Sequence, residues 1–441
     1  MNGPRLDRPS RITRRGCLGR LGALAGAAAS APWFVPATAR GADGNAAPSE
    51  RIAVGFIGVG GHGVHRNLGM FLGQNDARPA AVCDVDSRRI EEAMSRIRSK
   101  FGESYACLTT KDWRDVIARD DIDAVMISTP DHWHVPISVA AVRAGKDVIC
   151  EKPTLTVAEG RILADTVKAH GAVFQLSTED RSLAVYHRMA ELVRNGRIGK
   201  LERIFVRLPG GPGGPGDPTP KPVPDGLDWD MWLGPAPWAP YRDGLHMFHW
   251  RWKSDYSGGN LTDWGAHLLD TAQWANDTER TGPIEVEGSG RRHEKGLYDV
   301  FFEYHLTYRY ANGVEMKVDS GGVALRFEGS DGWIANDGWI GPLQASRQEI
   351  LDSVIGPDEI HLFTEPRGEH RNFLDCVKSR RDPYFPAEVG HRCCTVAHLG
   401  NIAMELGRKL RWDPRAERFH DDDQANQMLA RAMREPWSLR A

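Results

Sequence analysis

Four groups of residues in this chain are of a type and spacing that can do chemistry. The first is Gly58-x-Gly60-Gly61-x-Gly63, which follows a short apolar run, Arg51–Ile57, and precedes a helical pattern from His62 to Gln74. In such a loop the first glycine permits a tight turn, the second lets the backbone approach a pyrophosphate, and the third allows close helix–strand packing. The helix start adds free N–H groups and a positive dipole end. Asp84 stands 21 residues beyond Gly63, at the end of the next predicted strand. A carboxylate there accepts hydrogen bonds from ribose hydroxyls and repels a 2′-phosphate, which favours NAD over NADP. Arg88 and Arg89, close by, blur that preference.

The second group is Glu151-Lys152-Pro153, at the carboxyl end of a predicted strand. Ligands of open α/β sheets bind at that edge, and Pro153 restricts the backbone of Lys152. A loop lysine is also commonly just solvated. The third is Asp263 with His267, four residues apart. On one continuous helix they share a face, and the carboxylate can orient the imidazole as a proton acceptor. The plainer alternatives are an N-cap and a packed core histidine. The fourth is a run of aromatics: Trp229, Trp232, Trp238, Trp250, Trp252 and Trp264, interleaved with Tyr241, His246 and His249. Aromatic faces beside hydrogen-bonding groups suit sugar rings, and core packing accounts for part of the set equally well.

The elements that must position these residues alternate at βαβ spacing. Predicted strands at Arg51–Ile57, Ala80–Cys83, Ala124–Ser128, Asp147–Cys150 and Ala172–Leu176 are separated by helices at Ser87–Phe101, Val135–Ala144 and Val157–His170. That pattern predicts an N-terminal Rossmann-type, doubly wound parallel sheet over 50–176. After Leu176 the character changes. Pro209–Gly226 is a Pro/Gly-rich loop. Period-two runs at Leu201–Arg207, Val300–Tyr310 and Val314–Asp319 predict a large, open, mostly antiparallel sheet in a second α/β domain over 177–412. Late helices are expected at Asn372–Ser379 and Cys393–Leu410, and residues 413–441 read as an arm crossing the surface.

Residues 1–39 read as a leader rather than as fold. Thr13-Arg14-Arg15-Gly16-Cys17-Leu18 resembles a twin-arginine signal, a weakly apolar Ala/Gly-rich run extends to Val35, and Ala37-Thr38-Ala39 offers a cleavage site. Arg20, Pro32 and Pro36 interrupt the run, which argues against a membrane span. The expectation is therefore export by the twin-arginine route, to the periplasm or otherwise out of the cytoplasm. Removal of 1–39, with six Arg and one Asp, takes the formal net charge from −3 to −8. A moderately acidic chain argues against nucleic acid and anionic membrane as partners. The six remaining Cys form no C-x-x-C pair and no disulfide framework. His391, Cys394 and His398 fall at helical spacing, which reads as a packed face more readily than as metal ligands, so no metal is expected.

Taken together, GFIGVGGHG (55–63), CDVD (83–86), STPDHWH (128–134), CEKPTLTVAEG (150–160) and SGGNLTDWGAHLLDTAQW (257–274) resemble the glucose-fructose oxidoreductase / inositol dehydrogenase (Gfo/Idh/MocA) family. The resemblance implies NAD as cofactor, a carbohydrate or polyol substrate, and an open sheet that supports homo-oligomer contacts. It places Lys152 between nicotinamide and substrate, makes His267 the proton acceptor, and has Asp263 orient either the substrate or His267. It puts Thr129, Pro130, His134 and Glu151 near the cofactor, and Arg181 and Trp252 with His267 near the substrate. Residues 175–181, QLSTEDR, depart from the usual family pattern. Export favours tightly held NAD. The leading expectation is an oxidoreductase acting on a sugar, glycoside or polyol hydroxyl. The alternative is a redox-neutral glycosidase, with transient oxidation, elimination, hydration and re-reduction. A third reading, an NAD-bound sugar sensor, leaves the acid/base residues unexplained.

Overall fold

The computed structural model describes residues 50–439. The expected leader lies outside them. The chain builds two sheets, and the first forms as its apolar runs require. Strands β1 (Ile52–Ile57), β2 (Ala77–Cys83), β3 (Leu108–Thr110), β4 (Ala124–Ile127), β5 (Asp147–Glu151) and β6 (Phe174–Ser177) are parallel, in the order β3-β2-β1-β4-β5-β6. β1, β4 and β5 are buried along their whole length, as strands covered by helices on both faces must be. Strand order reverses at β1 and β4, which opens a crevice at their carboxyl ends. Gly58, Thr129 and Lys152 all sit on that edge.

The helix after β1 is not a regular α-helix. It is π-wound over Gly63–Leu68 and α-helical over Gly69–Leu72. π-turns concentrate at functional sites. Here the π-turn carries the buried Asn67, whose amide donates to Glu151 Oε1 (2.9 Å) and Ser128 Oγ (2.8 Å). The helix Val157–His170 starts at Thr156, whose hydroxyl accepts from Glu159 N, and stops at Gly171 in left-handed conformation.

The second sheet is mixed and mostly antiparallel. It comprises β7 (Leu201–Leu208), β8 (Glu285–Arg291), β9 (Glu303–Arg309), β10 (Glu315–Ser320), β11 (Ala324–Gly329), β12 (Gly332–Asp337), β13 (Leu343–Ala345), β14 (Leu410–Asp413) and β15 (Arg418–Phe419). Their order is β13-β12-β11-β7-β10-β9-β8-β14-β15, and only the β7–β10 pair is parallel. Period-two alternation puts Ile204, Val206, Leu306, Tyr308, Met316 and Val318 on the buried face, against helices Gly265–Ala275 and Ala387–Leu406. The opposite face carries Arg203, Arg207, His305 and Lys317, all exposed.

The chain then returns to the first sheet. Helix Glu369–Ser379 inserts Phe373, Leu374 and Cys376 into a core shared with Ile52, Val54 and Phe56. Residues after β15 also run back: Ala158 N donates to Leu429 O (2.9 Å), and Trp437 packs edge-on against Trp133. All six described cysteines are free. His391 bonds Glu417 (2.9 Å) and His398 bonds the Thr154 carbonyl (2.8 Å), so both serve the packing of their helix.

Candidate active site

The glycine loop opens the site. Gly58 has φ +82°, and a Cβ there would lie 2.7 Å from the Ser128 carbonyl. A Cβ at Gly63 would lie 2.3 Å from Gly58 O. By contrast, a Cβ at Gly60 or Gly61 would meet nothing within 4 Å. The first pair is required by the fold, and the second leaves space. That space belongs to a cavity of about 850 Å³ lined by Gly58, Gly60, Gly61, Gly63, Asp84, Thr129, Pro130, His134, Glu151, Lys152, Trp252, Asp263 and His267.

Asp84 closes one end. Its Oδ2 accepts from Val59 N (2.8 Å) and its Oδ1 from Asp86 N (2.9 Å), so each oxygen keeps a second acceptor position. Burial pushes its carboxyl up to about 6 despite those bonds. Thr129 Oγ1 is buried and unpartnered among the described residues. An open glycine cradle, a ribose-type acceptor and an orphaned hydroxyl fit a dinucleotide such as NAD. His134 serves a different purpose: Nδ1 and Nε2 lie 2.8 Å from Pro153 O and Thr129 O, so the ring ties two loops together. Glu151 Oε1 accepts from His62 (3.0 Å) and Asn67 (2.9 Å). Burial alone would raise its pKa, but His62 and Lys152 outweigh burial and hold it well below the usual carboxylate range.

Two charged pairs occupy the other end. Lys152 Nζ is bonded to Asp263 Oδ1 and donates to Asp263 O (3.1 Å). Arg251 Nε lies 3.3 Å from Asp263 Oδ2. Burial lowers the Lys152 pKa, but Asp263 and Glu151 outweigh it and raise it. Asp263 is held at about 2, because Lys152 and Arg251 overcome its burial.

His267 does not pair with Asp263. The expected continuous helix is interrupted at Trp264, between short helix Asn260–Asp263 and helix Gly265–Ala275. Asp263 bonds Lys152, and His267 Nδ1 instead lies 2.7 Å from Asp180 Oδ2. Burial lowers the His267 pKa, but Asp180 outweighs it and raises it. With Nδ1 engaged, Nε2 is the nitrogen left for the cavity. Trp339 stands edge-on to His267 at 4.9 Å.

Arg181 is not in the cavity, contrary to expectation. It is 4% exposed and clamps Asp270 through two bonds (2.8 and 2.7 Å), with Glu279 at 2.6 Å. The rings of Trp274 and Phe385 flank it. A guanidinium so enclosed holds the turn that carries Asp180 and is out of reach of substrate. Of the expected aromatics, Trp232, Trp250, Trp252 and Trp264 line the cavity, Trp229 stacks behind on Trp232, and Trp238 is exposed. Asp180, Arg251 and Trp339 complete the site beyond what the sequence alone points to. The sequence marks only the first, through the departure at 175–181.

Two family models match the chain: "Oxidoreductase family, NAD-binding Rossmann fold" over residues 52–178 and "Oxidoreductase family, C-terminal alpha/beta domain" over 214–439. Levoglucosan dehydrogenase of Pseudarthrobacter phenanthrenivorans is 32% identical over 364 residues, 76% of this chain and 82% of that protein. A glycosyl hydrolase family 109 protein of a Shewanella species is 34% identical over 137 residues, and the match spans only 30% of each chain. A solved levoglucosan dehydrogenase, in complex with NADH and L-sorbose, superposes with TM-score 0.61 at 20% identity, over 82% of this chain and 99% of that one. The chain therefore belongs to the Gfo/Idh/MocA family of NAD-binding oxidoreductases.

Proposed function

We propose that the protein oxidises a hydroxyl-bearing carbon of a sugar, glycoside or polyol, or reduces the corresponding carbonyl, using NAD held tightly in the glycine-lined groove. One observation carries this: the Lys152–Asp263 and His267–Asp180 pairs converge on the same cavity as the open glycines. NAD, when bound, supplies the hydride acceptor. Gly60, Gly61, Asp84 and Thr129 hold it. His267 Nε2 takes the hydroxyl proton, and Asp180 stabilises the imidazolium that results. The Lys152 ammonium donates to the same oxygen, and Asp263 with Arg251 fixes the ammonium. Trp252, Trp264 and Trp339 present aromatic faces to the C–H surface of the ring.

The twin-arginine motif supports a periplasmic location. Cofactor is not recycled freely there, so a resident NAD fits a closed redox cycle. The partial match to glycosyl hydrolase family 109 proteins, together with two separate proton-handling pairs, favours a second reading. In it the oxidation is transient and the net reaction is glycoside hydrolysis. The test is to purify the exported protein, identify nucleotide released by denaturation, and then supply glycosides and free sugars without added NAD. Turnover with bound nucleotide supports the account. Release of free sugar without net NADH selects the hydrolytic reading. A requirement for a second carbonyl substrate selects net oxidoreduction. Absence of bound nucleotide with full dependence on added NAD overturns tight retention.

A further inference from the structure

The cavity has a second wall that comes from neither the glycine loop nor the catalytic helix. Residues 226–252 contribute Leu227, Met231, His246, Met247, Phe248 and Arg251 to it. This segment is pinned at both ends of the groove. At the Asp84 end, Asp86 and Leu227 form an isolated β-bridge, and Asp228 N donates to Val85 O (2.9 Å). Gly226 O accepts from Ser87 N (3.2 Å) and from Lys111 Nζ (2.6 Å). His246, bonded to Tyr241 Oη (3.0 Å), lies near enough to Asp86 and Arg88 for their charges to act on it. At the catalytic end, Arg251 reaches Asp263 (3.3 Å) and lies over the Phe248 and Trp250 rings.

Between these anchors the segment is stiff. It has its own core, in which Trp229 stacks on Trp232 and both meet tyrosines, Tyr241 and Tyr256, edge-on. The C-terminal arm braces it from outside: Arg434 Nε donates to Gly234 O (2.9 Å) and Arg434 N to Pro235 O (2.8 Å). Its tip is open, with Met247 60% and Phe248 52% exposed although both line the cavity. Large apolar side chains at a cavity mouth, on a strap fixed at both ends, have one evident task, to cover what lies beneath.

We propose that residues 226–252 form a strap that closes the dinucleotide groove from adenosine end to catalytic end and sets the rate of cofactor release. This rests on the resident-NAD reading above and gives it a physical cause. A ligand bounded by the glycine loop on one side and a braced strap on the other leaves only when the strap moves, so its dissociation is slow.

The test uses the full chain, loaded with NADH and mixed with excess NAD, while the loss of NADH fluorescence reports release. Two variants alter exposed positions only: Met247→Gly with Phe248→Gly at the tip, and Lys111→Ala at the latch. The expected result is slow exchange in the wild type and exchange about tenfold or more faster in either variant, with unchanged melting temperature. Wild-type rates in both variants, with nucleotide still retained, overturn the strap and leave resident NAD standing. A wild-type protein that purifies without nucleotide and exchanges within the mixing time overturns both.

Discussion

The imidazole of His267 is held through Nδ1 by Oδ2 of Asp180, 2.7 Å away and 87 residues earlier in the chain. Asp180 is fully buried and its other oxygen has no partner among the described residues. The arrangement fixes one ring orientation, aims Nε2 at the cavity and favours the charged ring.

Asp180→Asn is therefore expected to lower kcat by about 10²-fold, within the usual range for a misdirected general base. Its pH profile separates this from a structural effect. The base form of His267 is neutral, so activity rises with pH through its pKa. Asp180 raises that pKa, so its removal moves the acidic limb to lower pH. The same pair stabilises the fold fully below the ordinary histidine value of about 6.5, and the contribution is lost as pH rises through the elevated one. An acidic limb that stays in place after the substitution refutes this role for Asp180.

Lys152→Met is expected to reduce turnover by about 10²–10⁴-fold while bound nucleotide, measured after denaturation, remains. Asp263→Asn is expected to fall between that variant and the wild type, because the ammonium remains but loses its fixed partner. Loss of nucleotide from Lys152→Met would instead assign the lysine to cofactor binding alone.

The glycines predict opposite effects. Gly60→Ala adds a methyl group to open space, so with nucleotide removed its melting temperature is expected to match that of nucleotide-free wild type, while the nucleotide content of the purified protein falls. Gly63→Ala pushes a methyl group against Gly58 O and is expected to lose at least about 1–3 kcal/mol of stability by denaturant unfolding. Equal melting temperatures for the two would contradict the geometry.

Arg181→Met leaves Asp270 and Glu279 facing each other without their guanidinium. Breaking one side of a buried ion pair costs about 3–5 kcal/mol. The expected phenotype is a lowered melting temperature. Specific loss of substrate affinity in a fully stable variant would restore the substrate contact that the sequence suggested.

These expectations mark where local pattern suffices. Gly58, Gly63, Asp84 and Lys152 lie within a few residues of strand ends, and strand ends are written in short apolar runs. The β6 turn is different: Asp180 and Arg181 are neighbours, yet one faces His267 and the other a closed ion cluster, and no periodicity distinguishes them. The Asp263–His267 spacing presumes unbroken α-helix, whereas the helix breaks at Trp264. Trp339 reaches the site from beyond β12, and helix Glu369–Ser379 crosses back to the first sheet. Contacts between such distant segments leave no local signal in the chain.

Alcohol chemistry by the two charged pairs beside a resident NAD, as proposed, is open to direct test. The most direct measurement is a single-turnover reaction of the purified protein with a sugar or glycoside, without added cofactor, followed by the near-ultraviolet absorbance of reduced nicotinamide. The account predicts a transient rise that slows with deuterium on the reacting carbon and is abolished in His267→Ala. A nucleotide-loaded protein that turns over substrate with no such signal and no isotope effect would contradict it.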